Sequence, residues 1–175
     1  MANATVARNR GIPSAQPLLA PNWFLALVPR QFWNVEKRFF IYSQNFVPIN
    51  AGQTLVGNIQ IQDDSHFLAV AGVALVTDAA TDGTVINSPS NANASGKLVL
   101  VTDVATGVPL SQVPVPLESL FGTAQLPAVW PMPRLFRKGG TIATQVASAS
   151  AANHNVRISY WGIRIYPNIP LGAVV

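Results

Sequence analysis

The placement of the prolines constrains this chain more than any other feature. Fourteen of its 175 residues are proline, and many lie inside the most apolar stretches. In "GIPSAQPLLAPNWFLALVPRQFW", Pro13, Pro17, Pro21 and Pro29 interleave with Leu18, Leu19, Trp23, Phe24, Leu25, Leu27, Phe32 and Trp33. In "LPAVWPMPRLFRKGG", Pro127, Pro131 and Pro133 surround Trp130 and Met132, and Leu135 and Phe136 follow. Proline supplies no backbone N–H and pushes the residue before it out of the helical region. Long helices are therefore excluded where the chain is most apolar. The large side chains must find cover from extended backbone, and each is worth roughly 1.5–3 kcal/mol if fully buried.

Elsewhere the pattern is one of strands. "KRFFIYSQNFVPI" is rich in aromatic and β-branched residues, and "NAGQ" at 50–53 reads as a turn. "TLVGNIQIQ" alternates, Asp63-Asp64-Ser65 turns, and "HFLAVAGVALVT" reads as a buried strand. The loop "NSPSNANASG" at 87–96 has nothing with which to anchor a core. "KLVLVTDVATG" leads into a hairpin, "LESLFG" into one helical turn, and "TIATQVASAS" into another strand. Ala152-Asn153-His154-Asn155 reads as a turn before "VRISYWGIRIY". There Val156, Ile158 and Tyr160 share one face, and Arg157, Ser159 and Trp161 the other. Gly162 marks a bulge or a close approach of backbone.

Roughly seven to nine short strands with Gly, Pro and Asn turns predict an all-β fold, an antiparallel β-sandwich. Long connections near 80–96 and 109–137 favour a jelly roll over a plain meander. Residues 1–34 are expected to be an extended N-terminal arm, with a short helix over "NWFLALV" capped by Asn22. Residues 35–175 form the sandwich. The 109–137 segment is expected to run extended without ladder bonds and to present Pro131, Met132 and Pro133 as a stiff apolar ridge.

The sequence offers little chemistry. It has no cysteine, hence no disulfide framework, thiol nucleophile or thiolate site. No apolar run is long enough for a membrane helix, and prolines interrupt the region where an export signal would need a smooth apolar core. His66 follows Asp63 and Asp64, but a "DDSH" turn explains those carboxylates without a metal. His154 reads as a loop residue. Asp78, Asp82 and Asp103 are dispersed in turns, with no calcium loop, nucleophile elbow or phosphate-binding glycine motif. "SGKLVLVT" lacks the glycines that would make its lysine a phosphate ligand. No catalytic residue, cofactor or metal is expected.

Charge points to contacts between proteins. Only 10% of residues are charged, against about 25% in an ordinary globular domain. A surface so poor in charge is expected to face other subunits. The bases Arg8, Arg10, Arg30, Lys37 and Arg38 precede an acidic middle, and only bases follow Arg134, an arrangement that can pair between copies. The arm is too sparsely charged for nucleic acid. The expected contact residues are Trp23, Phe24, Leu27, Trp33, Trp130, Met132 and Phe136, with Arg137 and Lys138 setting register. Whether the arm packs on its own body or on a neighbour is open.

The run from Phe46 to Ile165 resembles small structural proteins of tailed bacteriophages, the capsid-decorating or cement proteins and small tail components. The resemblance lies in "AGQTLVGNIQIQDDSHF", "LFGTAQLPAVWPMPRLFRKGGTI" and "NVRISYWGIRI". It implies a jelly-roll-like body assembled in many copies in the host cytoplasm, with arms reaching other virion proteins such as the major capsid protein. It implies no catalytic residues. The alternative is a carbohydrate- or receptor-binding sandwich, with Trp161 or Tyr160 stacking on a sugar.

Overall fold

A computed structural model of the chain describes residues 28–78 and 96–170. Among the described residues, nine strands make two antiparallel sheets. The strands are β1 (Val35–Ile49), β2 (Thr54–Gln60), β3 (His66–Asp78), β4 (Lys97–Asp103), β5 (Val108–Pro109), β6 (Val115–Pro116), β7 (Ala128–Phe136), β8 (Thr141–Ser148) and β9 (His154–Pro170). The first sheet has the order β1-β9-β3-β7. The second has the order β2-β8-β4-β5, with β6 also pairing β4. From β1 to β4 the chain changes sheet at every connection, and it does so again from β6 to β9. The first and last long strands end side by side. This is a jelly roll, two Greek keys wrapped into one sandwich.

The apolar alternation seen in the sequence becomes the core between the sheets. Val99, Val101, Ile142 and Val146 face Phe67, Val76, Val156 and Ile158, all buried. Tyr160 lies at the centre, and its hydroxyl is 2.6 Å from Thr144 Oγ1, joining the sheets by a buried hydrogen bond. Burial holds the Tyr160 phenol neutral by raising its pKa. At Gly162, β9 packs closely on β3. A Cβ there would collide with the Leu68 carbonyl oxygen, which explains a glycine inside a strand.

The proline-rich segment departs from its expected form. Residues 128–136 are a paired strand, β7, at one edge of the first sheet. Ala69 pairs with Arg134 and Ala71 with Val129, so residues 130–133 stand against Val70 alone. The missing N–H groups of Pro131 and Pro133 thus fall in a bulge, where the ladder asks nothing of them. The bulge sends Trp130 inward. Its indole makes edge-to-face contacts with Phe121 and Tyr160, and its Nε1 donates to the Leu120 carbonyl at 2.8 Å. Met132 is left at the tip, 84% exposed. The long loop near 80–96 lies outside the described residues except for Gly96.

Candidate functional site

The outer face of the first sheet is the unusual surface of this molecule. An antiparallel sheet at the outside of a sandwich ordinarily turns polar side chains to water. Here β9 contributes Trp161, Ile163 and Ile165, and β3 contributes Leu68, Val70 and Ala71. The register sets Phe39 and Ile41 of β1 opposite Ile163 and Trp161, and Leu135 and Val129 of β7 opposite Leu68 and Ala71. Apolar side chains therefore run across all four strands.

The last part of the expected arm closes the centre of this face. Val28 and Phe32 are buried in one cluster with Leu68, Val70, Ala71, Ile163 and Ile165. A short 3-10 turn, Arg30–Phe32, lets the chain fold down there. The Trp33 indole Nε1 donates to the Val28 carbonyl at 3.0 Å. Lys37 Nζ donates to the carbonyls of Trp33 and Val35, each at 2.8 Å. Partial burial draws the Lys37 pKa down, with Glu36 opposing. The Phe32 ring lies 5.2 Å from the His66 ring at the start of β3.

Two flanks stay open among the described residues. On the β1 side Phe39 is 61% exposed, Ile41 is exposed beside it, and Phe39 meets Trp161 edge-to-face. On the β7 side Val129 and Met132 are exposed. Further along the same face, a shallow groove is lined by Asn45, Val47, Leu75, Thr77, Asn155 and Arg157. Arg157 Nε donates to Asn45 Oδ1 at 2.8 Å across its floor.

The strand edges differ too. Prolines interrupt the β5–β6 edge of the second sheet, and the bulge interrupts β7. β1 runs for 15 residues with β9 on one side and no strand on the other among the described residues. Its stretch Phe39–Val47 has no charge and no proline. Such an edge is a template for pairing with another chain.

The expected contact residues divide. Trp130, 8% exposed, and Phe136, 1% exposed, belong to the protein's own core and cannot anchor a partner; the bulge and the alternation of β7 turn them inward. Trp33 remains 49% exposed, although its indole is tied to Val28. Met132, Arg137 and Lys138 are at the surface. Lys138 lies at the tip of the β7–β8 turn with Arg137 just before it, and the Lys138 backbone N–H donates to His66 Nδ1 at 3.2 Å. Trp23, Phe24 and Leu27 lie outside the described residues. The exposure of Phe39, Ile41 and Val129 does not follow from the sequence patterns above. The signal was in "FFIY", where consecutive residues are apolar, the mark of a strand covered on both faces.

The polar clusters serve the fold. His154 is the first residue of β9, not a loop residue, and it is buried. Its Nδ1 is 2.6 Å from Lys97 Nζ, which also donates to Ser148 Oγ at 2.9 Å. Lys97, 1% exposed, thereby joins both sheets at one end of the sandwich and is sealed from solvent. At the other end Arg164 Nη2 reaches Asp64 at 2.6 Å and its Nε reaches Ser65 Oγ at 2.8 Å, with the guanidinium over Phe40 and Tyr166. Asp63 and Asp64 form the expected turn. Arg134 Nη2 lies 3.2 Å from Asp103 Oδ2, tying β7 to the β4–β5 turn. Among the described residues no three His, Asp or Glu side chains gather as metal ligands, and no helix is long and apolar enough to cross a membrane. Tyr160, one of the two residues considered for sugar stacking, is fully buried, while Trp161 belongs to the apolar outer face.

Comparison of the chain with protein-family models, with curated proteins and with solved structures finds no match.

Proposed function

We propose that this protein is a non-enzymatic structural subunit of a virion, a component of a phage capsid or tail that acts through contacts with its own copies and with other virion proteins such as the major capsid protein. One observation carries the reading: an exposed apolar patch, Phe39 and Ile41 with Trp161, adjoins an open strand edge on a compact jelly roll. A neighbour can bury that flank and pair with the edge in a single contact, so the apolar area and the unpaired backbone are satisfied together. Trp33, half exposed just before β1, adds apolar surface, and Arg137 and Lys138 at one end of the sandwich supply charge that sets register. The low charge of the whole chain agrees with a surface largely covered in an assembly. The carbohydrate-binding alternative has less support, because the groove on the same face holds no aromatic side chain on which a sugar can stack.

Sedimentation of the purified full chain, together with imaging of the protein in its native particle, tests this. The expected result is concentration-dependent assembly that Phe39→Asp and Ile41→Asp weaken by at least about tenfold each. A chain that stays monomeric at every concentration and is absent from particles overturns the proposal.

A further inference from the structure

We propose that the open edge of β1 pairs with the same edge of a second copy, antiparallel about a two-fold axis at Phe40, so that two four-stranded sheets join into one. This pairing rests on the assembly reading above and gives that assembly its partner, a second copy of the chain, and its register. The contrast between strand edges is the first reason. The bulge and prolines interrupt β7, and β5 and β6 are two residues long with a proline in each. Over Phe39–Val47, β1 has no charge and no proline, and no strand lies on its far side among the described residues. Every second residue of such an edge points its N–H and C=O away from β9. A second copy running antiparallel satisfies them with roughly ten hydrogen bonds over residues 35–45.

The order of side chains along β1 is the second reason. Glu36, Lys37 and Arg38 come first, then Phe39, Phe40, Ile41 and Tyr42, then the uncharged polar residues Ser43, Gln44 and Asn45. Run antiparallel, the charged end of each copy lies on the uncharged polar end of the other, and the apolar middles meet. Run parallel in register, Lys37 and Arg38 would each face their own charge. The antiparallel two-fold is the arrangement in which β1 complements itself. Register is the third reason. Phe39 and Ile41 are exposed on the outer face, whereas Phe40 and Tyr42 pack against the core between the sheets. A continuous sheet sets outward residues against outward residues, so the axis passes through a residue and not between two. With the axis at Phe40, Phe39 of each copy faces Ile41 of the other, Lys37 faces Ser43, Arg38 faces Tyr42 and Glu36 faces Gln44. The Trp161 side chain of each copy flanks this patch, because it already meets Phe39 edge-to-face. An axis at Ile41 would set Phe39 against Ser43 and Glu36 against Phe46, and an axis at Phe39 would set Lys37 against Ile41.

Sedimentation of the full chain over a range of concentrations, with hydrogen exchange read by mass spectrometry, tests the pairing. The expected result is a dimer in which amide exchange within residues 39–45 slows as the dimer forms. Register is read from mixed chains, and the absence of cysteine means that any thiol cross-link joins introduced residues. Lys37→Cys and Ser43→Cys chains of different isotopic mass are treated with a short bifunctional thiol reagent, separately and together. The mixed dimer should be the main product, because the two Lys37 positions of one dimer lie roughly 20 Å apart along the strands. Ser43→Lys places a like charge opposite Lys37 and should weaken the dimer by about fivefold or more, whereas Ser43→Glu should not weaken it. A monomer at every concentration, a dimer whose β1 amides exchange as fast as the monomer's, cross-linking mainly between identical variants, or equal effects of Ser43→Lys and Ser43→Glu overturns the proposal. A chain that is monomeric in solution yet present in native particles, or a dimer without protection of β1, sinks this pairing and leaves the assembly reading standing.

Discussion

Single residues carry more of this structure than a low-charge composition implies. Gly162 has no room for a side chain against Leu68, so Gly162→Ala forces β9 away from β3. It should lower unfolding free energy by about 1–3 kcal/mol in urea titrations. The buried Lys97–His154 contact is sensitive to pH. Burial lowers the His154 pKa, the Lys97 ammonium lowers it further, and Asp78 opposes. Burial also lowers the Lys97 pKa, with Glu118 opposing. In each case the folded state holds its proton less tightly than the unfolded chain does. The stability that depends on His154 is present above the unfolded value of about 6.5 and is lost as pH falls through the lower folded value. Lys97 acts with the same sign from a higher starting pH. Unfolding free energy should therefore drop between neutral pH and mild acid, and His154→Asn should flatten that part of the profile. Denaturant midpoints at a series of pH values check it.

At the scale of elements, β7 shows how one proline-rich segment serves two purposes. Trp130 and Met132 are two residues apart, and regular alternation would place them on the same face. The bulge between Ala69 and Ala71 pairings separates them, sending Trp130 into the core and Met132 outward. Trp130→Ala removes an indole packed on Phe121 and Tyr160 and its bond to Leu120, and should cost about 3–5 kcal/mol. Met132→Ala should change stability by less than about 0.5 kcal/mol. Thermal melts of the two variants distinguish these roles. The strands β2, β4 and β8 were legible because their alternation was clean and their turns carried Gly, Asn or Asp. The pairing of β7 was not legible, since prolines argue against a strand unless a bulge absorbs them, and the partner strand β3 lies about sixty residues away in sequence.

At the scale of the molecule, the two sheets are joined by apolar packing and by polar ties at the centre and at both ends. Thr144–Tyr160 lies in the middle, Lys97–His154 at one end and Arg134–Asp103 at the other. Arg134→Ala would leave the nearly buried Asp103 carboxylate with only its Ala105 and Thr106 bonds. It should destabilise the whole sandwich by about 1–3 kcal/mol in a single cooperative transition, as followed by calorimetry. The sequence alone determined the all-β class, most of the turns and the expectation of a surface poor in charge, because these follow from local backbone chemistry and composition. Only the tertiary structure decided which apolar residues are spent inside. Trp130 and Phe136 went to the core while Phe39 and Ile41 were left facing outward, and the reason is physical. Hydrophobicity records that a side chain avoids water, whereas the face it points from depends on register, bulges and the sheet stacked behind it.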